Sequence, residues 1–330
     1  MQLQDILRGR LHVRVVYVAL ALVLLAAAVV SPDFFKTRNL LNVLRQASAI
    51  GVLAIGQTVA IIAGGIDLSV AAVMQLVGVT IAEFAKGENG RLWFAIPLSL
   101  VMALGIGLGN GFLVASRGVQ PFIATLFVGV LVTGLRLMVT RATPSGILPP
   151  AIKTFGGGSL GPVPNAVLCF AGVALTMGFI LQRTTFGRRV FAVGGNARAA
   201  ELSGVRVKRV VIASYVISAL LAAVAGMVLV GYLGYADQEI GTGYDLDSIA
   251  AAVVGGTVLG GGIGSISGTV AGVVLMASLL NLVLLLNLNV QYQLVIRGIV
   301  ILTAMSLQFF GIKASRAKSR LRLQKAIKRG

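Results

Sequence analysis

Apolar stretches long enough to cross a membrane recur along almost the whole chain, and no other feature limits its fold as strongly. Of the 330 residues, 57% are hydrophobic and only 12% are charged. A soluble domain is about 25% charged. Apolar runs of about 20 residues indicate transmembrane helices. The sequence therefore predicts an all-α protein, a polytopic membrane helical bundle.

About ten membrane segments are predicted. In chain order they cover residues 13–31, 41–64, 66–85, 93–116, 119–140, 164–182, 210–233, 247–262, 264–286 and 290–310. Arg8, Arg10 and Arg14 precede the first segment, as in a signal peptide, but the membrane character of the rest favours an uncleaved anchor. Glycine clusters indicate interrupted helices. We treat 1–330 as a single transmembrane domain.

Basic residues are concentrated in two places and predict the orientation of the chain. The loop 183–209 carries seven Lys or Arg, and the tail 311–330 carries eight. Loops with excess Lys and Arg lie in the cytoplasm. We therefore expect an N-in, C-in topology with an even number of spans. The net charge of +18 then reflects this orientation and does not indicate nucleic-acid binding.

Glycines at regular spacing predict a close helix contact. Gly260, Gly264, Gly268 and Gly272 recur every four residues and would share one helix face. Such faces let backbones approach closely in membranes. The contact could lie within the chain or at a dimer seam.

A weak internal similarity suggests inverted repeats. Residues 110–120 can be laid on residues 281–291 without a gap. In the ten-span topology these stretches lie at opposite membrane faces, as inverted repeats of transporters do.

The stretch 64–69, with Asp67 at its centre, interrupts an apolar region. An ionisable residue in a membrane segment is a functional candidate. Gly64 and Gly65 also end a helix, and Asp67 or Ser69 could cap the next one. A structural helix break and a proton or ion site therefore both remain open. Other polar residues of the membrane segments include Asn42, Arg45, Gln46, Gln57, Asn110, Arg136 and Asn281.

The sequence offers no enzyme motif. There is no P-loop, and one histidine and one cysteine (His12, Cys169) exclude a cluster of His and Cys ligands. We predict that the chain is not an enzyme and binds no cofactor of its own. Ion-driven carriers usually carry several buried carboxylates. The scarcity of such groups here indicates that the energy comes from outside this chain.

Two loops are candidate docking surfaces. Residues 196–203 predict a short cytoplasmic helix, with Asn196 as N-cap and Gly204 as its stop, although a merely solvated basic loop would look similar. On the other side, the predicted outer loop 234–246 combines acidic residues with tyrosines.

Four stretches together resemble the membrane permeases of ribose-, xylose- and arabinose-type ABC sugar importers. They are GGIDLSV at 64–70, TTFGRRVFAVGGNARAAELSGVRVKRV at 184–210, GTGYDLDSIAAAVVGGTVLGGGIGSISGT at 241–269 and RGIVIL at 297–302. The resemblance covers nearly the whole chain in order. One departure is Ala71-Ala72, where these permeases usually have Gly-Ser.

The resemblance implies a permease that works as a membrane pair in the bacterial inner membrane. Cytosolic ATPase subunits would use the ATP, and a periplasmic binding protein would deliver a monosaccharide, with pentose favoured over hexose. The implied ATPase-coupling residues are Gly194, Gly195, Asn196, Ala199, Ala200, Glu201, Ser203 and Gly204. Those implied for the pathway and its helix break are Gly64, Gly65, Asp67, Ser69, Gln57, Asn110, Gly255, Gly256 and Asn281. Those implied for binding-protein docking are Tyr235, Asp237, Glu239, Tyr244 and Asp245.

Two other functions compete with this one. The first is a stand-alone, ion-coupled secondary carrier or channel. The second is a membrane anchor without transport, which the intramembrane polar residues disfavour, since an anchor has no use for them.

Overall fold

A computed structural model describes residues 16–29, 31–144 and 146–286, with isolated positions between 289 and 306. Its helices in chain order are α1 (Val16–Val29), α2 (Thr37–Ile62), α3 (Val70–Ala85), α4 (Leu92–Ala115), α5 (Pro121–Thr140), α6 (Pro150–Gly157), α7 (Asn165–Arg183), α8 (Thr185–Gly195), α9 (Ala197–Leu202), α10 (Val207–Leu233), α11 (Tyr244–Val254) and α12 (Ile266–Leu285). Short 3-10 turns cover Pro32–Phe35 and Asn89–Arg91. Two short strands, β1 (Ser159–Leu160) and β2 (Val163–Pro164), pair antiparallel with Leu160 opposite Val163.

Six helices of the described residues are long and apolar enough to cross a membrane: α2, α4, α5, α7, α10 and α12. They agree with six of the predicted segments and confirm a polytopic helical membrane protein. Helices α1 and α3 are apolar but shorter. Residues 1–15, most of 290–310 and the basic tail 311–330 lie outside the described residues.

The predicted membrane segment 247–262 is not one continuous helix. Helix α11 ends at Val254, and 11 residues rise only about 16 Å. An irregular connection, 255–265, follows before α12 begins. Gly256, Gly261 and Gly262 in it have φ of +91°, +81° and +74°. These left-handed conformations suit glycine and end a helix.

The predicted face of four helical glycines is therefore wrong in part. Gly260 and Gly264 lie in the connection 255–265, while only Gly268 and Gly272 lie on α12. The helical pair does make the expected close contact. A Cβ on Gly268 would collide with the carbonyl oxygen of Gly255, and one on Gly272 would collide with that of Ala251. The close approach is between α11 and α12 of the same chain.

Two segments expected to be loops contain helices. The outer loop 141–163 includes α6, which begins at Pro150, a residue whose missing N–H is harmless in the first helical turn. In the basic loop 183–209 the expected short helix is present as α9, but α8 precedes it. Thr184 caps α8 by accepting from the N–H of Gly187 over 3.3 Å.

Helix α2 forms the centre of the bundle. In its most apolar window 83% of residues are buried within the protein, against 22% for α4 and for α7. Helices α7, α10, α11 and α12 pack around it. The large apolar side chains that α4, α5 and α7 leave exposed, such as Phe127 and Phe179, face outward, as expected for lipid contact.

The connections of the bundle gather at two ends. At the first, which we name the arginine-rich end, the turn 63–69 meets the connection 255–265 and the segment 184–206. At the opposite end, the N–H of Ala151 donates to Oδ1 of Asn89 over 2.9 Å, and the N–H of Ala236 donates to the carbonyl of Gly146 over 3.2 Å. The basic loop and the acidic loop 234–246 therefore lie at different ends, as predicted.

Candidate functional site

The helix break between α2 and α3 is built by a glycine cap. Gly64 has φ of +92°, and its N–H donates to the carbonyl of Ile61 over 2.9 Å. The N–H of Gly65 donates to the carbonyl of Ala60, also over 2.9 Å. This is the Schellman arrangement, which satisfies the last carbonyls of a helix. The sequence prediction of a helix break at this point is confirmed.

The end of α11 repeats the same arrangement. Gly256 has φ of +91°, and its N–H donates to the carbonyl of Val253 over 2.9 Å. The next N–H, of Thr257, donates to the carbonyl of Ala252 over 3.0 Å. Gly255 and Gly256 thus form a second helix break, which is far from the first one in the sequence.

Asp67 lies at the centre of the first break and is fully buried. Its Oδ1 accepts from the hydroxyl of Ser69 over 2.6 Å and from the N–H of Ser69 over 3.0 Å. Asn110 of α4 donates its Nδ2 to the Ser69 hydroxyl over 2.8 Å. Gln57 of α2, with its amide suitably oriented, donates to the Asp67 carbonyl and accepts from the Asp67 N–H. Four residues predicted for this site are therefore brought together.

Helices α5 and α10 complete the wall around this break. Thr125 of α5 accepts from the N–H of Leu68 over 3.0 Å and lies 3.2 Å from the carbonyl of Ile66. Ser218 of α10 lies beside Asp67. The hydroxyl of Tyr215 packs so closely on Gly65 that a Cβ there would collide with it. The break is thus enclosed by α2, α4, α5 and α10.

Among the described residues, the buried polar atoms of this enclosure are incompletely paired. Oδ1 of Asn110 has no hydrogen-bond partner, and Oδ2 of Asp67 and Oγ of Ser218 have at most a weak contact with each other. Buried polar groups are usually paired, and unpaired ones destabilise the conformation that contains them. Incomplete pairing narrows the free-energy difference between this arrangement of the helices and an alternative one in which these groups find partners.

A cavity of about 640 Å³ lies between α3, α5 and the segment 238–245, and we name it the outer cavity. It extends along α5 from Leu126 to Leu137, about 16 Å of helix. Its base is at Leu68 and Gly129, next to the break. Its polar lining consists of Gln75, Thr133, Arg136, Gln238, Glu239, Thr242 and Asp245. The cavity therefore leads from the opposite end of the bundle down to the break.

Arg136 is the charged residue of this cavity that lies deepest in a membrane helix. Only 4% of it is exposed, and its Nε and Nη1 have no hydrogen-bond partner among the described residues. Sequence reasoning noted Arg136 as an intramembrane polar residue but did not assign it to a site. Its charge in an apolar helix was the available signal.

A junction of glycines joins the break to the basic segment. We name it the glycine junction; it consists of Gly64, Gly194, Gly195, Gly261 and Gly262. The N–H of Gly262 donates to the carbonyl of Ile62 over 2.9 Å. A Cβ on Gly194 would collide with that same carbonyl and lie 2.5 Å from the Gly262 nitrogen. The end of α8 therefore rests directly on the end of α2.

The predicted coupling helix, α9, has the expected local structure. Oδ1 of Asn196 accepts from the N–H of Ala199 over 3.0 Å, and Gly204 has φ of +82° after the helix end. Glu201 pairs with Arg198 over 3.1 Å on the exposed side. Ala200 is buried against the bundle. Ala199 and Ser203 are exposed with Glu201, so α9 presents a free surface at the arginine-rich end.

The residues predicted for docking at the opposite end separate into two groups. Tyr235, Asp237 and Glu239 are exposed, and Oδ1 of Asp237 accepts from the N–H of Glu239 over 2.9 Å. Tyr244 and Asp245 are half-buried at the start of α11. Glu239 and Asp245 line the outer cavity, so this loop forms part of its mouth.

Asn281 does not belong to the break, contrary to its grouping with Asp67 and Asn110. It lies near the end of α12 and exchanges two hydrogen bonds with Asn39 at the start of α2, over 2.9 and 3.1 Å. Asn110 and Asn281, the first residues of the suggested repeat, therefore lie at opposite ends of the bundle. The pairing of Asn281 explains its burial without a role in the site.

The break thus lies between the outer cavity on one side and the end of α8 in the basic segment on the other. A family profile described as the permease component of a branched-chain amino acid transport system matches residues 39–305. The chain belongs to this permease family. Members of the family are transport subunits and not catalytic enzymes.

Two of three similar relatives carry names that refer to sugars. The permease is 38% identical over 291 residues to the ribose import permease protein RbsC of Escherichia coli K12, which is 87% of this chain and 90% of that protein. It is 38% identical over 293 residues to YphD of the same strain, a probable ABC transporter permease, covering 87% and 86% of the two chains. It is 33% identical over 332 residues to the xylose transport system permease XylH of that strain, covering 82% and 84%. No solved structure matches the chain.

Proposed function

We propose that this permease is the membrane subunit of an ATP-binding-cassette importer for a monosaccharide, with a pentose as the favoured substrate. The relatives named for ribose and xylose support this substrate class, because they match most of the chain. The bacterial inner membrane is the location this implies. The permease would form the translocation pathway and contribute no catalytic residue.

The observation that carries the proposal is the close backbone contact of Gly194, at the end of α8, with the carbonyl of Ile62 at the end of α2. It connects the basic segment, where an ATPase would act, to the helix break at the base of the outer cavity. A displacement of α8 would push on the end of α2, because Gly194 has no side chain to separate them. Access could then alternate by a rigid-body movement around the break.

In this mechanism the outer cavity holds the sugar before the break opens. Leu68 forms its base, and the Leu68 N–H is held by Thr125 of α5. The unpaired Oδ1 of Asn110 and the weakly paired Asp67 and Ser218 side chains make the closed break a state that other contacts can replace. Opening would expose these groups to water and to the sugar hydroxyls.

We place the arginine-rich end in the cytoplasm, with about ten spans and both termini inside, because basic loops remain there. The exposed surface of α9 would then dock a cytosolic ATPase subunit, which would bind the ATP. At the other side, Tyr235 and Asp237 would contact a periplasmic sugar-binding protein. A second copy or a paralogue would complete the membrane pair, with each chain a single transmembrane domain over 1–330.

Reconstitution tests the proposal. The permease is co-expressed with candidate ABC ATPase and sugar-binding proteins of the same organism, and the purified complex is placed in proteoliposomes. Uptake of radiolabelled D-ribose and D-xylose is followed with ATP, with a non-hydrolysable ATP analogue and with an imposed proton gradient. We expect uptake only with ATP and binding protein.

Two outcomes would overturn this function. Accumulation driven by the proton gradient in the absence of ATP hydrolysis would indicate a secondary carrier. ATP-dependent uptake of L-leucine without uptake of either pentose would indicate an amino-acid importer.

A further inference from the structure

We propose that the outer cavity is a binding subsite for a neutral, polyhydroxylated molecule of monosaccharide size, with Arg136 as its principal hydrogen-bond donor. The inference rests on the proposed function and adds which residues meet the sugar. The site lies in α3, α5 and the segment 238–245. It is separate from the break around Asp67.

The unpaired guanidinium is the first observation. Arg136 is 4% exposed, and its Nε and Nη1 find no acceptor among the described residues, although Asp237 lies near enough to influence its charge. Burying an N–H without an acceptor costs more free energy than a typical hydrogen bond contributes to stability. Because Arg136 lines the outer cavity, an occupant with acceptor oxygens would satisfy these donors.

A buried acceptor on the same cavity is also unpaired. Gln238 donates its Nε2 to the hydroxyl of Thr140 over 2.7 Å, while its buried Oε1 has no donor among the described residues. An occupant of the cavity could therefore accept hydrogen bonds from Arg136 and donate one to Oε1 of Gln238. A hydroxyl group both donates and accepts, so a molecule with several hydroxyls satisfies both.

The charges on the lining favour a neutral ligand. Arg136 faces a cavity that also has Glu239 and Asp245 on its wall. An anion would be attracted by one of these groups and repelled by two. The remaining polar lining, which includes Gln75 and Thr242, is uncharged, and Gln75 donates to the Thr242 hydroxyl over 3.3 Å.

Size and apolar surface agree with a small sugar. The volume of about 640 Å³ lies within the range of small-molecule sites. One wall consists of Ala71, Ala72, Leu126 and Val130, which can pack against the C–H groups of a pyranose or furanose ring. Ligand sites generally combine such an apolar wall with a few oriented polar groups.

Site-directed labelling tests occupancy without relying on transport. Thr133 lines the cavity on α5, so Thr133→Cys introduces a reporter thiol there. Cys169→Ala removes the native cysteine from this background. The whole complex, with its ATPase and binding protein, is placed in nanodiscs without ATP. The rate of thiol modification by a small charged methanethiosulfonate is measured with D-ribose, D-xylose or L-leucine.

We expect the pentose to slow modification about tenfold when its concentration is about ten times the dissociation constant. L-Leucine at the same concentration should have no effect. Leu160→Cys, on the exposed strand β1 at the same end, is the matched reporter outside the cavity and should show no protection. The Arg136→Met variant should raise the concentration for half-protection by about tenfold or more, since a charged donor is lost.

Two further variants separate binding from folding. Arg91→Met removes an exposed arginine of the same end, which pairs with Glu88 over 2.9 Å, and should leave the protection curve unchanged. Arg136→Gln keeps N–H donors and should fall between wild type and Arg136→Met. Assembly of each variant is checked by gel filtration of the complex.

Three results would overturn the inference: protection by L-leucine alone, no protection by any sugar, or an unchanged curve for an assembled Arg136→Met complex. The same preparations are assayed for ATP-driven pentose uptake. Uptake without protection would reject this subsite and leave the proposed function standing. Protection without ATP-driven uptake would reject the proposed function and retain a sugar-binding cavity.

Discussion

The N–H of Leu68 donates a hydrogen bond to the hydroxyl of Thr125, over 3.0 Å, and both residues are buried. This bond fastens the base of the outer cavity to α5, the helix that forms the longest part of the cavity wall. The break between α2 and α3 therefore cannot shift without either moving α5 or losing this bond.

Replacing Thr125 by Val should weaken that attachment. Valine has a similar shape but no acceptor, so the buried Leu68 N–H would be left unpaired, a loss of about 1–3 kcal/mol. We expect the midpoint of heat inactivation of the purified complex to fall by a few degrees. Thr125→Ser keeps the hydroxyl and is the matched control. Equal midpoints for the Val and Ser variants would contradict the role of the bond.

Asp67 should tolerate Asn but not Leu. Its Oδ1 accepts two bonds from Ser69, and an asparagine Oδ1 can accept both. Leucine would leave the N–H and the O–H donors of Ser69 without an acceptor in a fully buried site. We expect Asp67→Asn to retain transport within about threefold and Asp67→Leu to lose it, with a lower yield of assembled complex. Abolished transport in a well-assembled Asn variant would instead point to an essential ionisable carboxyl, as in a proton or ion site.

The glycine junction provides a matched pair of variants. Gly194→Ala would place a Cβ on the carbonyl of Ile62, whereas a Cβ on Gly195 has open space around it. Both residues end the same helix. We expect Gly194→Ala to separate ATP hydrolysis from transport or to prevent assembly, and Gly195→Ala to behave like wild type. ATPase stimulation by loaded binding protein and pentose uptake, measured in parallel, decide between them.

The close contact of α11 with α12 provides a second pair. Gly268→Leu would push a side chain into the backbone of Gly255, whereas a Cβ on Gly260 would meet only a Val258 methyl group, at 4.0 Å. We expect Gly268→Leu to lower the amount of folded permease several-fold, because overpacking a tight interface is destabilising. Gly260→Leu should fold normally. Similar amounts of both variants in detergent-solubilised membranes would contradict the assignment of the contact.

The exposed surface of α9 should be sensitive to bulk. Ala199→Trp adds a large side chain to a surface that faces the cytoplasm in the proposed topology, and Asn196 still caps the helix. We expect normal insertion and assembly of the permease but loss of ATP-driven uptake. Ala171→Trp, on an exposed position of α7, is the control and should transport normally. Full stimulation of the ATPase by loaded binding protein in the Ala199 variant would argue against α9 as the coupling surface.

Much of the helical framework could be predicted from the sequence because long apolar runs have few alternatives in a membrane. The grouping of Gln57, Asp67, Ser69 and Asn110 was also predictable in kind, since polar residues in apolar segments face protein. Glycines were the main source of error. A spacing of four residues does not distinguish Gly268, which lies on α12 and allows close packing, from Gly260 and Gly264, which lie in the irregular connection before that helix.

The outer cavity could not be predicted, because its wall is assembled from parts far apart in the chain. Gln75, Arg136 and Gln238 come from two helices and a loop, and no local pattern connects them. Helix α8 was missed for a different reason: its stretch is rich in Gly and Arg, and its cap at Thr184 is a single residue. Short amphipathic helices of this kind depend on packing more than on propensity.

The link between the basic segment and the helix break is made by main-chain atoms. Side chains in a contact can change rotamer and absorb a small displacement, but Gly194, Gly262 and the Ile62 carbonyl have no such freedom in the parts that touch. The link is therefore stiff over distances of less than an ångström. The link also contains no titratable group. We therefore expect pH and ionic strength to change the affinity of a partner for α9, but not the displacement of the break that the bound partner causes.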